Sequence, residues 1–167
     1  MFSKPNDMLT LEENALNVLD QTGLTELGWT FRWNSQRSNA GMCKYNHKRI
    51  EVSAVIAEYV TPESTWNTVL HEVAHALAGP HAGHGPKWLA TCKELGGSGN
   101  VSTTLDGDIA ERFTRSSRWV GKCPNDLTHR TYRDRLTQKA RRAACGECSP
   151  SWKAENIYKW TRNDLYV

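Results

Sequence analysis

Five consecutive residues, His71-Glu72-Val73-Ala74-His75, constrain this 167-residue chain more than any other stretch. They lie in an apolar-rich run, Thr65 to Ala78, that reads as a helix. Positions i and i+4 of a helix share a face, so His71 and His75 can aim two imidazoles at one point. Two neutral imidazoles on one rigid element make half of a tetrahedral zinc site. Glu72 follows the first of them, where a carboxylate can reach a water activated by the metal. With 6 histidines and 11 glutamates in the chain, chance supplies roughly 0.014 matches to such a pentapeptide, which makes it a hypothesis worth testing against its flanks.

The flanks agree. Thr61-Pro62-Glu63 offers an N-cap hydroxyl, a proline at the first helical position and an acid in the first turn. Gly79-Pro80 stops the helix. A catalytic zinc takes three protein ligands and leaves one position open, and three residues compete for the third place. His81 has the six-residue spacing of metzincins, but that pattern wants a glycine where Ala78 stands. Glu94 offers a distant carboxylate with the context of a solvated helix surface. His84 sits between Gly83 and Gly85, where the backbone can bend tightly, and Pro86 then launches a helix that can brace the loop.

Elsewhere the chain alternates helix and strand signals. Thr10-Leu11-Glu12-Glu13 reads as a capping box, predicting a helix to about Gln21 with Leu11, Ala15, Leu16, Val18 and Leu19 on or near its apolar face. Trp29 to Trp33, Ala40 to Tyr45 and Arg49 to Ser53 read as three short strands, and their spacing suggests an antiparallel meander. Val55 to Tyr59 is ambiguous. Pro86 begins a helix with Trp88, Leu89, Cys92 and Leu95, ended by Gly96-Gly97. Ser98 to Asp108 reads as a loop and Ile109 to Arg115 as a short helix.

His71-Glu72-Val73-Ala74-His75 followed by Gly83-His84-Gly85-Pro86-Lys87-Trp88 resembles the SprT-like metallopeptidase family, which joins H-E-x-x-H to a downstream G-H-G and an aromatic residue. Ala40 to Cys43 and Arg49 to Ser53 resemble the family's second and third strands, and the resemblance extends over about Leu9 to Cys148. It implies an α+β, zincin-like metalloprotease domain over residues 1–110: an N-terminal helix, a three-stranded antiparallel sheet, the motif helix and a second helix. It implies His84 as third ligand beside His71 and His75, and Glu72 as the general base of a peptide hydrolase. It also implies that Arg49 to Ser53 is an exposed edge over the cleft, to which an extended protein substrate could add.

Residues 111–167 have a different character. Cys145-Gly146-Glu147-Cys148 is a knuckle that argues for metal, and Cys123 is a candidate partner. The family often ends in a zinc ribbon with paired cysteines at both knuckles, but here Asp126 stands where the second cysteine of the first pair would fall. His129 and Asp126 are the candidates for a fourth ligand; imidazole suits a thiolate zinc site better than carboxylate does. The expectation is therefore two zinc ions, one catalytic and one structural on Cys123, His129, Cys145 and Cys148. Cys43 and Cys92 read as buried thiols.

Charge separates the two parts again. The formal charge is +3, yet Glu111 to Arg142 holds ten basic and three acidic side chains, a local +7 that leaves −4 elsewhere. Arg130, Arg133, Arg135, Arg141 and Arg142 are candidate contacts to a polyanion, and the interleaved Tyr132 and Trp119 suit stacking on single-stranded bases. Some family members act on proteins bound to DNA, so DNA is an expected partner. No run of 18 apolar residues argues for a membrane helix, and Met1 to Asp7 shows no secretory signal, so the expected location is cytoplasmic. Two other readings compete: a catalytically inactive, nucleic-acid-associated zinc-binding protein, and a secreted metzincin-like protease. An intact Glu72 weighs against the first; the position of Gly79 weighs against the second.

Overall fold

The computed structural model describes residues 8–101, 105 and 107–165. The N-terminal stretch Met1 to Asp7, and residues 102–104 and 106 of the expected loop, lie outside the described residues. The chain is a mixed α+β protein that divides into two compact units, Met1–Leu105 and Asp106–Val167.

In the first unit, helix α1 (Met8–Gln21) buries Leu11, Ala15, Val18 and Leu19, the i, i+4, i+7, i+8 stripe of an amphipathic helix. Leu16 lies outside that stripe and is exposed. The helix already runs at Met8, so Thr10 lies inside it and the expected capping box is not its start. Glu12 accepts a hydrogen bond from the Trp33 indole at 2.9 Å, tying the helix to the first strand of the sheet.

Strands β1 (Thr30–Asn34), β2 (Gly41–Lys44) and β3 (Arg49–Ser53) form a sheet in the order β1-β3-β2. β2 and β3 are antiparallel, joined by a 3₁₀ turn at Tyr45–His47, but β1 and β3 are parallel. The expected antiparallel meander is thus replaced by a mixed sheet with β3 at its centre. The reason is visible in β3 itself: Ile50, Glu51, Val52 and Ser53 are all buried, as only a strand covered on both sides can be. Ser53 also fixes the 35–40 link, its hydroxyl donating to the Gln36 carbonyl and its amide to that of Ala40. β3 is therefore not an edge; the edge strands of this sheet are β1 and β2.

A short helix α2 (Ala54–Ala57), capped by the Ser53 hydroxyl, resolves the ambiguous stretch after β3. Helix α3 (Pro62–Ala78) begins at Thr61, whose hydroxyl accepts from the Ser64 amide at 3.1 Å. It buries Trp66, Val69, Leu70, Val73 and Ala74 in one core with α1, β1, β3 and helix α4 (Pro86–Glu94). Each fully buried Val or Leu there contributes about 1.5–3 kcal/mol. Trp88 and Cys92 are the buried residues of α4.

The second unit holds helix α5 (Gly107–Arg115), strands β4 (Trp119–Lys122) and β5 (Arg130–Arg133), the short helix α6 (Gln138–Arg141) and strand β6 (Lys159–Arg162). The sheet order is β5-β4-β6, all antiparallel. Helix α5 spans the expected boundary between residues 110 and 111. Strand β6, beyond the cysteine knuckle, supplies the third strand of this sheet. Among the described residues no helix is long and apolar enough to cross a membrane.

Glu51 is 4% exposed. Burial alone would raise its pKa, but Lys44 at 2.8 Å, Asn34 at 3.2 Å and Arg49 at 2.6 Å outweigh that and hold it below the ordinary value of 4.5. A lowered folded pKa means that the carboxylate contributes its stability in full above about pH 4.5 and loses it as pH falls through the folded value. Glu51→Gln should lower the unfolding free energy of the chelator-treated protein at pH 7 by about 1.5–3 kcal/mol. The difference from wild type should shrink on acidification below pH 4.5, measured by denaturant titration at each pH. A difference that does not change with pH would refute this account.

Candidate metal centres

Helix α3 carries His71 and His75 one turn apart, as the i, i+4 spacing requires. The chain then turns through Gly79 to Gly85, closed by hydrogen bonds from the Ala82 amide to the Gly79 carbonyl and from the Gly85 amide to the Ala82 carbonyl. The Lys87 ammonium ties this turn down by donating to the Ala78 carbonyl at 2.7 Å. His84 is thereby brought back over α3. The Nε2 atoms of His71, His75 and His84 stand 3.0–3.1 Å from one another. His81 and Glu94 are exposed and take no part in this cluster.

Three imidazole nitrogens this close have a specific need. Burial, opposed by a hydrogen bond to the Asn100 carbonyl, lowers the His71 pKa. Burial and the neighbouring imidazoles bring His75 down to about 4. Both rings are neutral at pH 7. His71 Nδ1 lies 3.2 Å from the Asn100 carbonyl oxygen and donates to it, which leaves the lone pair on Nε2. Converging lone pairs repel, and three nitrogens in a triangle cannot be joined by linear hydrogen bonds. A cation at their focus removes the repulsion. The nitrogen–nitrogen edge of a tetrahedral zinc site is roughly 3.3 Å, so the donor set fits such an ion.

Trp88 backs the cluster. Its ring centroid lies 4.7, 5.5 and 4.6 Å from those of His71, His75 and His84, and its indole N–H donates to the His71 carbonyl at 3.2 Å. Tyr45 donates its hydroxyl proton to the His75 carbonyl at 2.8 Å. Glu72, 7% exposed, lies between α3 and the edge strand. Burial raises its pKa to about 7, opposed by a hydrogen bond from the Cys43 amide. The Cys43 thiol, far from being a reactive group, is pushed up to about 12 by burial and by Glu72.

An open cleft of about 860 Å³ runs over these groups. One wall is β2 with the residues just before it; the other includes Asn67, Ser98, Asn100 and Val101. The approach of β2 to Glu72 depends on Gly41. A methyl group there would stand 2.7 Å from both Glu72 Oε1 and Thr68 Cγ2. Gly41, Tyr45, Asn67 and Asn100 were not singled out from the sequence. Asn67 had a signal, being one helical turn before His71; the others act through backbone or tertiary contacts that no spacing reveals.

The second cluster is built from two turns, one between β4 and β5 and one following the isolated Ala144–Ile157 bridge. Cys123 follows β4, and its amide donates to the His129 carbonyl. Cys145 and Cys148 occupy a tight turn whose Glu147 and Cys148 amides point at the Cys145 sulfur. Cys123 Sγ and Cys148 Sγ are 3.6 Å apart, and His129 Nδ1 lies 3.3 Å from Cys148 Sγ and 3.6 Å from Cys145 Sγ. The corresponding edges of a tetrahedral zinc–thiolate site are roughly 3.8 Å for S···S and 3.6 Å for S···N, so this group too could hold a metal ion. Burial raises the Cys145 pKa, but the Tyr158 hydroxyl and the two knuckle amides outweigh it and bring the thiol down to about 6. Asp126 stands outside the donor group: it faces His129 Nε2 at 3.6 Å and accepts from the Thr128 amide and hydroxyl.

The sheet of the second unit arranges its cations. Lys122 is directly opposite Arg130 on one side and Lys159 on the other, a cross-strand row of three like charges. Arg133 lies on β5, Arg141 ends α6, and Arg135 and Arg142 follow those elements; all five arginines are exposed. Trp119 pairs with Arg133 while Tyr132 pairs with Val120, so the two rings are on opposite faces. The two rings expected to stack on bases therefore cannot share one face of this sheet. The Arg162 guanidinium lies over the Trp119 ring, 5.7 Å from its centroid.

The SprT-like family model matches residues 11–107. The chain belongs to the SprT-like family. The matched span contains His71, Glu72, His75 and His84 and ends before the cysteine cluster, so the broader resemblance out to Cys148 is not part of the match. No curated protein matches the chain.

Gly41→Ala should destabilise this SprT-like unit by about 1–3 kcal/mol, because the added methyl must displace Glu72 or the edge strand. Thermal or denaturant unfolding checks this; an unchanged midpoint would show that the strand yields freely.

Proposed function

We propose that this protein is a zinc-dependent endopeptidase with a zincin-like first unit and a structural zinc site in the second. The observation that supports this reading best is the convergence of three imidazoles beside a buried carboxylate, on a cleft bordered by an edge strand. His71, His75 and His84 would hold the catalytic ion; Cys123, His129, Cys145 and Cys148 would hold the structural one. Bound zinc supplies Lewis-acid polarisation of a carbonyl and lowers the pKa of water to about 7.

The chain's own residues account for the rest of the chemistry. Glu72 accepts a proton from the attacking water and returns it to the leaving amine. Its burial beside the cleft suits a group that must both take and release a proton out of bulk water. β2 offers backbone groups to an extended substrate, a mode in which main-chain hydrogen bonds provide affinity with little side-chain selection. The substrate class is therefore unfolded or extended protein segments.

The cation row of Lys122, Arg130 and Lys159, with Arg133, Arg135, Arg141 and Arg142, supports direction to DNA-bound proteins. Like charges placed directly opposite each other destabilise a sheet, and a bound polyphosphate would offset that cost. The alternative, a catalytically inactive nucleic-acid-associated zinc protein, shares the second unit but leaves the Glu72 arrangement without a purpose.

Purified protein should contain two zinc ions per chain, and His84→Ala one, by metal analysis; a wild-type value of one would remove one of the two sites. Digestion of casein or histones should be lost in Glu72→Gln, by about 10²–10⁴-fold, with both metal ions retained. Undiminished cleavage by that variant would sink the mechanism. Activity on histones should rise with single-stranded DNA and fall back as salt is added; indifference to DNA would leave a peptidase without that targeting.

A further inference from the structure

Asn67 is neither a ligand nor a base in the reading above, yet its side chain is committed at both ends. Its Oδ1 accepts from the Ser98 amide at 2.8 Å, and its Nδ2 donates to the Glu63 carbonyl at 3.0 Å. Ser98 is the first residue of a segment that ends on the first imidazole. The Ser98 hydroxyl accepts from the Asn100 amide at 3.2 Å, and the Asn100 carbonyl accepts from His71 Nδ1 at 3.2 Å. The Lys93 ammonium grips the same segment by donating to the Ser98 carbonyl at 2.5 Å. Gly99, at φ +73, lets the backbone lie against Leu89 and Lys93 of α4, where a Cβ would stand 2.7 Å from Leu89 Cδ1.

We infer that Asn67 is a positioning residue for the His71 imidazole, acting through the latched segment Ser98–Asn100, and that metal loading and order in this cleft wall are coupled. A carbonyl acceptor on the far nitrogen of a ligating imidazole fixes its tautomer and orientation and raises its basicity. The Asn100 carbonyl can do this only while its segment is held, and Asn67 holds it from the same face of α3 that carries His71. Coupling of this kind is reciprocal. A latched segment strengthens metal binding, and a bound metal, by fixing His71, slows opening of the segment. The cleft wall that a substrate would lie against is therefore set by the metal as well as by packing.

The inference rests on the reading of His71, His75 and His84 as metal ligands, and the test separates the two. Zinc affinity is measured by chelator competition, and cobalt(II) substitution reports on each site. Thiolate-to-cobalt charge-transfer bands mark the cysteine cluster, and the weaker ligand-field bands mark the imidazole cluster. In Asn67→Ala the imidazole site should bind zinc about tenfold more weakly, while the cysteine site keeps its affinity and serves as an internal control. Ser98→Ala, which breaks only the tie to the Asn100 amide, should cause a smaller loss in the same direction. Added zinc should slow hydrogen exchange at the Gly99 and Asn100 amides in wild type and do so much less in Asn67→Ala.

Wild-type protein that holds metal on the imidazoles, with Asn67→Ala holding it equally well, overturns the inference alone. Equal weakening of both sites overturns it as well, since that marks a general loss of structure. Wild-type protein that holds no metal on the imidazoles overturns the reading of the site and this inference with it.

Discussion

The contact between helix α3 and the edge strand β2 governs the geometry of the first unit. It brings a buried carboxylate, an unshared strand edge and two imidazoles onto one cleft. The contact is close because Gly41 lacks a side chain where Glu72 and Thr68 need the space. The Cys43 amide then hydrogen-bonds Glu72, so the strand that borders the cleft also orients the carboxylate that lines it. The core formed by Trp66, Val69, Leu70, Val73 and Ala74 keeps α3 from shifting along the sheet.

The two donor clusters achieve convergence by different means. The imidazole cluster is mounted on a long helix and completed by one returning turn, with Trp88 behind all three rings. Two of its three donors are fixed relative to each other before any tertiary contact forms. The cysteine cluster is assembled from two turns, 22 positions apart from Cys123 to Cys145 in the chain. Its donors meet only when β4 has paired with its neighbours and the Ala144–Ile157 bridge has closed. A metal ion bound to a cluster of this kind would contribute directly to folding, whereas the imidazole cluster sits on a scaffold with its own apolar core.

Much of the first unit was legible because its signals are local. The Thr61 cap, Pro62, the spacing of His71 and His75, and the Gly79 stop all act within a turn or two of the residues they control. The sheet was less legible. Alternation in Thr30 to Asn34 and Arg49 to Ser53 marks strands, but it carries no information about which strand lies between the others. β3 took the centre because both of its faces are covered, which a two-residue period cannot announce. The capping box at Thr10 failed because helix α1 already runs at Met8, which makes Thr10 an interior residue. In the second unit the alternation of β4, β5 and β6 is only four residues long in each case, too short to stand out from its charged surroundings.

By itself, the sequence determined the pairs of residues tied by short-range geometry: two imidazoles and a carboxylate on α3, a Cys-x-x-Cys turn, and a family of folds to which the first unit belongs. Helical and turn periodicities are properties of the backbone, so they survive without knowledge of the rest. The resemblance carried by Gly83-His84-Gly85 already favoured His84 over His81, and the tertiary structure alone decided that β2 rather than β3 borders the cleft and that Trp119 and Tyr132 face opposite ways. Those outcomes depend on which surfaces bury each other and which strands share hydrogen bonds. Such choices are made by competition across the whole core, and no local spacing encodes them.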